Sequence, residues 1–164
     1  MAFPVYNILV VGEPRVGKTS FINMATNYTF NEAYEPTAGV NIKGVKYESE
    51  NTIIFNFWDT AGTEKDGPLH WNYHYSIDAV IVMFDMENHK AYESTRYWTD
   101  HIVRLRGRKI PILMLGNKVD IIRRNLDITS STLPNFKYLV TSAKTQENFG
   151  VIFWHLSRMF RKKI

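Results

Sequence analysis

The sequence predicts an α/β fold built on a mostly parallel six-stranded sheet with one antiparallel edge pair. Apolar strand-like runs alternate with helical runs along the chain, the pattern of a parallel sheet covered by crossover helices. One short polar turn, Ser49-Glu50-Asn51, joins two strand-like runs and supplies the antiparallel pair. The most distinctive short motifs follow the ends of strand-like runs, where open sheets of this kind bind ligands.

Val5 to Val11 reads as a strand closed by Gly12, and Lys18 to Thr26 as a helix with Phe21, Ile22, Met24 and Ala25 as its apolar surface. Val40 to Glu48 and Thr52 to Trp58 read as the hairpin strands, and Gly44 suggests a bulge in the first. Ala79 to Phe84 is apolar almost throughout, as in a strand buried on both faces. Tyr92 to Leu105 is helical and ends before Gly107; Pro111 to Leu115 and Phe136 to Val140 are strands. Glu147 to Arg161 is an amphipathic helix, with Phe149, Ile152, Phe153, Leu156, Met159 and Phe160 at helical spacing. Ile121 to Pro134 is poorly periodic and predicts no full helix. No repeat, linker or shift in composition divides the chain, so residues 1–164 are expected to form a single domain.

Hydrophobic residues make up 45% and charged residues 22% of the 164, ordinary values for a soluble globular protein. No apolar run reaches the roughly 18 residues of a membrane span, and Met1-Ala2-Phe3-Pro4 lacks the regions of a signal peptide. Cysteine is absent, which excludes disulfides, thiolate metal sites and thiol catalysis. It also excludes prenyl and palmitoyl groups, and Ala2 stands where myristoylation needs glycine, so no covalent lipid anchor is expected. The net charge of +4 is spread along the sequence. Its densest group, Arg158 with Arg161-Lys162-Lys163, ends a helix and complements the helix dipole. Nucleic acid is therefore not expected as a partner.

Gly12-Glu13-Pro14-Arg15-Val16-Gly17-Lys18-Thr19 fits the phosphate-loop pattern G-x-x-x-x-G-K-[ST], between a strand and a helix as that motif requires. The glycines let backbone N–H groups converge on phosphate oxygens, and the helix points its positive end at them. Lys18 adds a full charge for the outer phosphates. The Thr19 hydroxyl is a hard oxygen ligand suited to Mg²⁺. Ser20 continues the same turn. Pro14 removes one N–H from the loop and crowds the space above the third phosphate. Thr37 can complete the Mg²⁺ shell, Asp59 can hold the ion through water, and Gly62 can offer its N–H to the third phosphate. Two loops whose order depends on one phosphate make a switch.

Asn117-Lys118-Val119-Asp120 follows a buried strand and Gly116. A carboxylate at Asp120 can accept hydrogen bonds from guanine N1–H and the 2-amino group, an edge that adenine lacks. The Lys118 stem can lie along the purine, and Asn117 can tie this loop to the phosphate loop.

These residues carry a resemblance to the small GTPases of the Ras superfamily, over the whole chain, and most closely to the Ran branch. The carrying segments are Tyr34-Glu35-Pro36-Thr37-Ala38-Gly39-Val40, Phe55 to Gly62, Glu64-Lys65, Ile81 to Asp85 and Gly116 to Ile121, with Trp98 and Trp154 at positions where Ran-like chains carry tryptophan. The resemblance implies a three-layer P-loop GTPase fold, GTP and GDP as ligands, and Mg²⁺. It implies that Thr141-Ser142-Ala143-Lys144 is a second base-reading loop, with the Ala143 N–H bonding guanine O6. It places Phe30 against the base, although core packing suits that aromatic equally well. Tyr34 joins the nucleotide-contacting set. Lys18, Thr37, Gly62 and Thr63 become the residues about the reacting phosphate.

The pattern breaks at Thr63, where the family places the glutamine that orients the attacking water. Threonine is too short for that task, so intrinsic hydrolysis is expected to be slow. The extension that Ran-like proteins carry beyond the last helix does not follow Ile164, and Ser130 to Pro134 stands where they carry a basic stretch. A full Ran role in nuclear transport is therefore in question. An exchange factor, an activating protein and effectors are expected to contact residues 30–45 and 62–78 of a monomeric protein in the cytoplasm or nucleus. A binding module locked on GTP is the alternative, and a nucleotide kinase a weaker one. His70 and His74 lie one helical turn apart but lack further ligands for a metal. Trp71, Tyr73 and Tyr75 suit partner contact or core packing equally.

Overall fold

The computed structural model describes residues 2–27, 29–33, 35, 37, 39–61, 76–88, 90–122 and 136–161, with Tyr92 described by its backbone alone. The described elements run β1 (Val5–Val11), α1 (Lys18–Asn27), β2 (Val40–Tyr47), β3 (Ile53–Thr60), β4 (Ala79–Asp85), α2 (Ala91–Arg106), β5 (Ile112–Asn117), β6 (Lys137–Val140) and α3 (Phe149–Phe160). The sheet has six strands in the order β2-β3-β1-β4-β5-β6. Among the described strands only β2 and β3 pair antiparallel; β1 pairs in parallel with β3 and β4, β4 with β5, and β5 with β6.

Alternation along the central strands explains the layers. Ile8 and Val10 of β1, Ala79, Ile81 and Met83 of β4, and Leu113 and Leu115 of β5 join Phe21 and Ile22 of α1 and Ile152, Phe153, Leu156 and Phe160 of α3 in one core. Their neighbours Leu9, Val11, Val80, Val82, Phe84, Ile112 and Met114 face the other way, against Ala91, Trp98 and Ile102 of α2. A strand packed on both faces must be apolar at every position, which is why β4 reads as a continuous apolar run. The result is the three-layer α/β arrangement expected from the sequence.

Strand and helix bounds depart from the sequence reading by one or two residues. The last helix begins at Phe149 because Asn148 holds a left-handed φ of 63° before it. Gly107, at φ 78°, ends α2 and donates to Val103 O at 2.8 Å. The expected bulge at Gly44 is absent. The β2–β3 register runs one to one from Val40↔Thr60 to Tyr47↔Ile53, with Gly44 opposite Asn56. A Cβ at Gly44 would lie 3.4 Å from Asn56 Oδ1, an ordinary contact, so the position is a regular member of the ladder. Of the poorly periodic stretch, residues 123–134 lie outside the described residues. No helix among the described residues is long and apolar enough to cross a membrane.

Candidate nucleotide-binding site

β1 neighbours β3 on one side and β4 on the other, so the chain reverses its direction of travel across the sheet there. A cavity of about 480 Å³ opens at the carboxyl ends of the strands, where such a reversal leaves a crevice. Phosphate-loop residues Pro14, Arg15, Gly17, Lys18, Thr19 and Ser20 line one part of it. Asn117, Lys118, Asp120, Ala143 and Lys144 line another, and Phe30 and Thr37 a third. Segments far apart in sequence therefore share one cavity.

Two glycines set the shape of the phosphate loop. Gly12 has φ 151° and Gly17 φ 98°. A Cβ at Gly12 would sit 2.3 Å from Met83 O, so only glycine fits against β4. The Lys18 ammonium is buried and donates to Gly12 O at 2.9 Å and Glu13 O at 3.0 Å, which lays it along the inner edge of the loop. Arg15 takes a left-handed φ of 66° and is exposed with Pro14 at the rim. Val16 turns inward and belongs to the core beneath the loop.

The residues expected to hold Mg²⁺ meet at one point. The Thr19 hydroxyl donates to Asp59 Oδ2 at 2.7 Å and lies 2.7 Å from the Thr37 hydroxyl. Asp59 is buried, and its Oδ1 has no hydrogen-bond partner among the described residues. A buried carboxylate oxygen left unpaired is costly unless something else meets it. The donor set is all hard oxygen, which fits Mg²⁺ with its retained waters. Burial holds the Asp59 carboxyl above the ordinary aspartate range, against the opposing pull of the Thr19 hydrogen bond and of Lys18 and Lys43.

That shift predicts a pH dependence with a definite sign. Without metal, the folded state binds the Asp59 proton more tightly than the unfolded chain. Asp59's contribution to stability therefore falls as pH rises from the ordinary aspartate value of 3.8 through the raised one. Urea unfolding in a chelator is expected to show Asp59→Asn gaining on the native protein across that window. Added Mg²⁺ should reverse the order at neutral pH, since it stabilises only the carboxylate.

At the other end, Asn117 links the two halves of the cavity. It is buried, donates from Nδ2 to Val16 O at 2.9 Å and accepts at Oδ1 from the Ala143 N–H at 2.9 Å. The tie between loops expected of Asn117 is present. The Ala143 N–H, expected to reach guanine O6, is already donating to Asn117, so it would have to share or exchange that bond. Lys118 stands at φ 70°, ψ 33°, which swings the following 3-10 turn, Val119–Ile121, across the cavity and exposes Asp120 at its wall. Thr141 N–H to Gly116 O at 2.7 Å and Val119 N–H to Thr141 O at 3.2 Å join the two base-side loops. Ser142 is fully buried; its hydroxyl accepts from the Thr145 N–H at 3.1 Å and holds the loop that presents Ala143 and Lys144.

Phe30 is 36% exposed at the cavity wall and is absent from both cores, which favours the wall over core packing. Trp98 is buried against the sheet, while Trp154 is exposed with the Arg158 guanidinium 5.2 Å from its ring. Tyr34, Gly62 and Thr63 lie outside the described residues, as do His70, Trp71, Tyr73, His74 and Tyr75. Two contacts escaped the sequence reading. Lys118 Nζ pairs with Asp85 Oδ2 at 2.7 Å, and Lys144 Nζ with Glu32 Oε1 at 2.7 Å. Glu32 lies in a loop that no motif marks, and Asp85 ends β4 with nothing in the sequence to name its partner.

Comparison with known proteins agrees with this geometry. Residues 7–162 match the profile described as the Ras family. The chain is also similar to the GTP-binding nuclear protein GSP1 of Encephalitozoon cuniculi. The two are 33% identical over 162 aligned residues, which take in 94% of this chain and 76% of that protein.

Proposed function

Since the chain belongs to the Ras family, on its Ran-like branch, we propose that it is a GTP-binding switch that hydrolyses GTP slowly. The observation that carries this reading is the shared cavity: the lysine-bearing phosphate loop and the Asp120 loop line its two parts, with Asn117 bonded to both halves. In this reading residues 1–164 are one nucleotide-binding domain. Gly12 to Ser20 hold the phosphates, with Tyr34 and Phe30 closing the side, and Asp120, Lys118, Ser142, Ala143 and Lys144 hold the base.

Hydrolysis is attack of water on the third phosphate. Lys18 orients the outer phosphates and meets the charge that develops on them. Thr19, Thr37 and Asp59 would hold Mg²⁺, which when bound neutralises phosphate oxygens. Gly62 offers a backbone N–H to the third phosphate. Thr63 leaves the attacking water unoriented, so a partner must supply the missing group, a contribution of about 10³ to 10⁵ in rate. Exchange factor, activating protein and effectors engage residues 30–45 and 62–78 of a monomer. The relative's name, a GTP-binding nuclear protein, supports a nuclear site.

Single-turnover hydrolysis of radiolabelled GTP by the purified protein tests the reading. The native rate should be far below that of a Thr63→Gln variant. A native rate as fast as the variant's contradicts it when adding Pro14→Gly to Thr63→Gln, which clears any block by the proline ring, also brings no gain. The second reading, a GTP-locked module that sequesters partners, is favoured by the exposure of Pro14 at the cavity rim. Nucleotide extracted from the purified protein separates the two: GDP indicates cycling, GTP the locked binder.

A further inference from the structure

The loop after α1 and the second base-side loop are 112 residues apart in sequence, yet an ion pair joins them. Lys144 Nζ lies 2.7 Å from Glu32 Oε1, and both residues line the cavity. Around Glu32, the Ala33 N–H donates to Asn31 Oδ1 at 3.0 Å, a local turn that presents the glutamate. Phe30, two residues earlier, forms part of the same wall. Asp120, Ala143 and Lys144 line the same cavity. A purine seated on Asp120 would therefore lie beside the two loops that this pair ties together. Each partner favours the other's charge: Lys144 lowers the Glu32 carboxyl and Glu32 raises the Lys144 ammonium.

Resting on the guanine-nucleotide reading, we infer that Glu32 is a positioning residue which, through Lys144, clasps the base end of the cavity and sets the residence time of the nucleotide. Neither partner is buried, so the clasp is kinetic and easily opened. Surface pairs of this kind are weak and screened by salt. That suits a latch that a partner protein must release, since a partner need only offer one competing charge. The clasp touches the base end and not the phosphate end. It therefore acts on GDP and GTP alike.

The test is the release rate of fluorescent N-methylanthraniloyl-GDP and its GTP-analogue counterpart, in a double-mutant cycle of Glu32→Gln and Lys144→Gln. Glu32→Gln is expected to speed release of both nucleotides about two- to fivefold in 50 mM salt, and to lose that effect in 1 M salt. In the Lys144→Gln background the same change should do nothing. Thermal stability without nucleotide should be unchanged throughout, which a merely structural role would not predict. Equal release from native and Glu32→Gln proteins, or an undiminished effect in the Lys144→Gln background, overturns the clasp while leaving guanine binding intact. A native protein that takes up neither nucleotide overturns both.

Discussion

Gly17→Ala is expected to lose about 3 kcal/mol of stability, from a left-handed backbone a side chain resists and a displaced buried amide, and to lose nearly all nucleotide binding. At φ 98°, Gly17 holds a conformation that disfavours any Cβ, and that Cβ would lie 2.2 Å from Asn117 Nδ2. The amide cannot simply yield. It is buried and bonded to Val16 O and to the Ala143 N–H, so moving it strands a donor and an acceptor in the interior. One methyl group thus loosens the phosphate loop and the base-side loop together. Gly39→Ala is the control: its φ is 68° but, among the described residues, nothing lies within 4 Å of the new atom. It should cost only about 1 kcal/mol, from the backbone alone. Urea unfolding of the three proteins, with calorimetric titration of GDP, checks both halves of the expectation.

Asp120→Asn is expected to do the opposite: little change in stability and a large change in binding. Asp120 is exposed on the turn after Lys118, so the fold does not depend on its carboxylate. Guanine does. Two hydrogen bonds to a charged group, at about 1.5–3 kcal/mol each, make the loss about a thousandfold or more in GTP affinity. An asparagine amide accepts from N1–H but donates toward position 2. It should therefore favour xanthine nucleotides, which carry a carbonyl there. Retained guanine affinity in the variant would move the base elsewhere in the cavity.

The parts legible in the sequence were those where chemistry or periodicity constrains the residue. β4 is apolar at nearly every position because both its faces are covered, and the glycines and lysine of the phosphate loop admit few substitutes. The α/β layering, the antiparallel edge pair and the segments lining the cavity followed from such positions. Gly44 was misread because sequence cannot separate a glycine that bends a strand from one that sits in a regular ladder. The pairings of Glu32 and Asp85 were invisible for another reason. An acid on an exposed loop, such as Glu32, or at a strand end, such as Asp85, is common, and its partner is fixed only by how distant segments meet. Phe30 remained undecided until its place at the wall was known, since aromatics fill cores as readily as they line cavities.

Calorimetric titration of the native, nucleotide-free protein with GTP and with ATP, in the presence of Mg²⁺, tests the account most directly. GTP should bind at least about a thousandfold more tightly, because ATP would leave the Asp120 carboxylate without its donors. Equal uptake of the two nucleotides would contradict it.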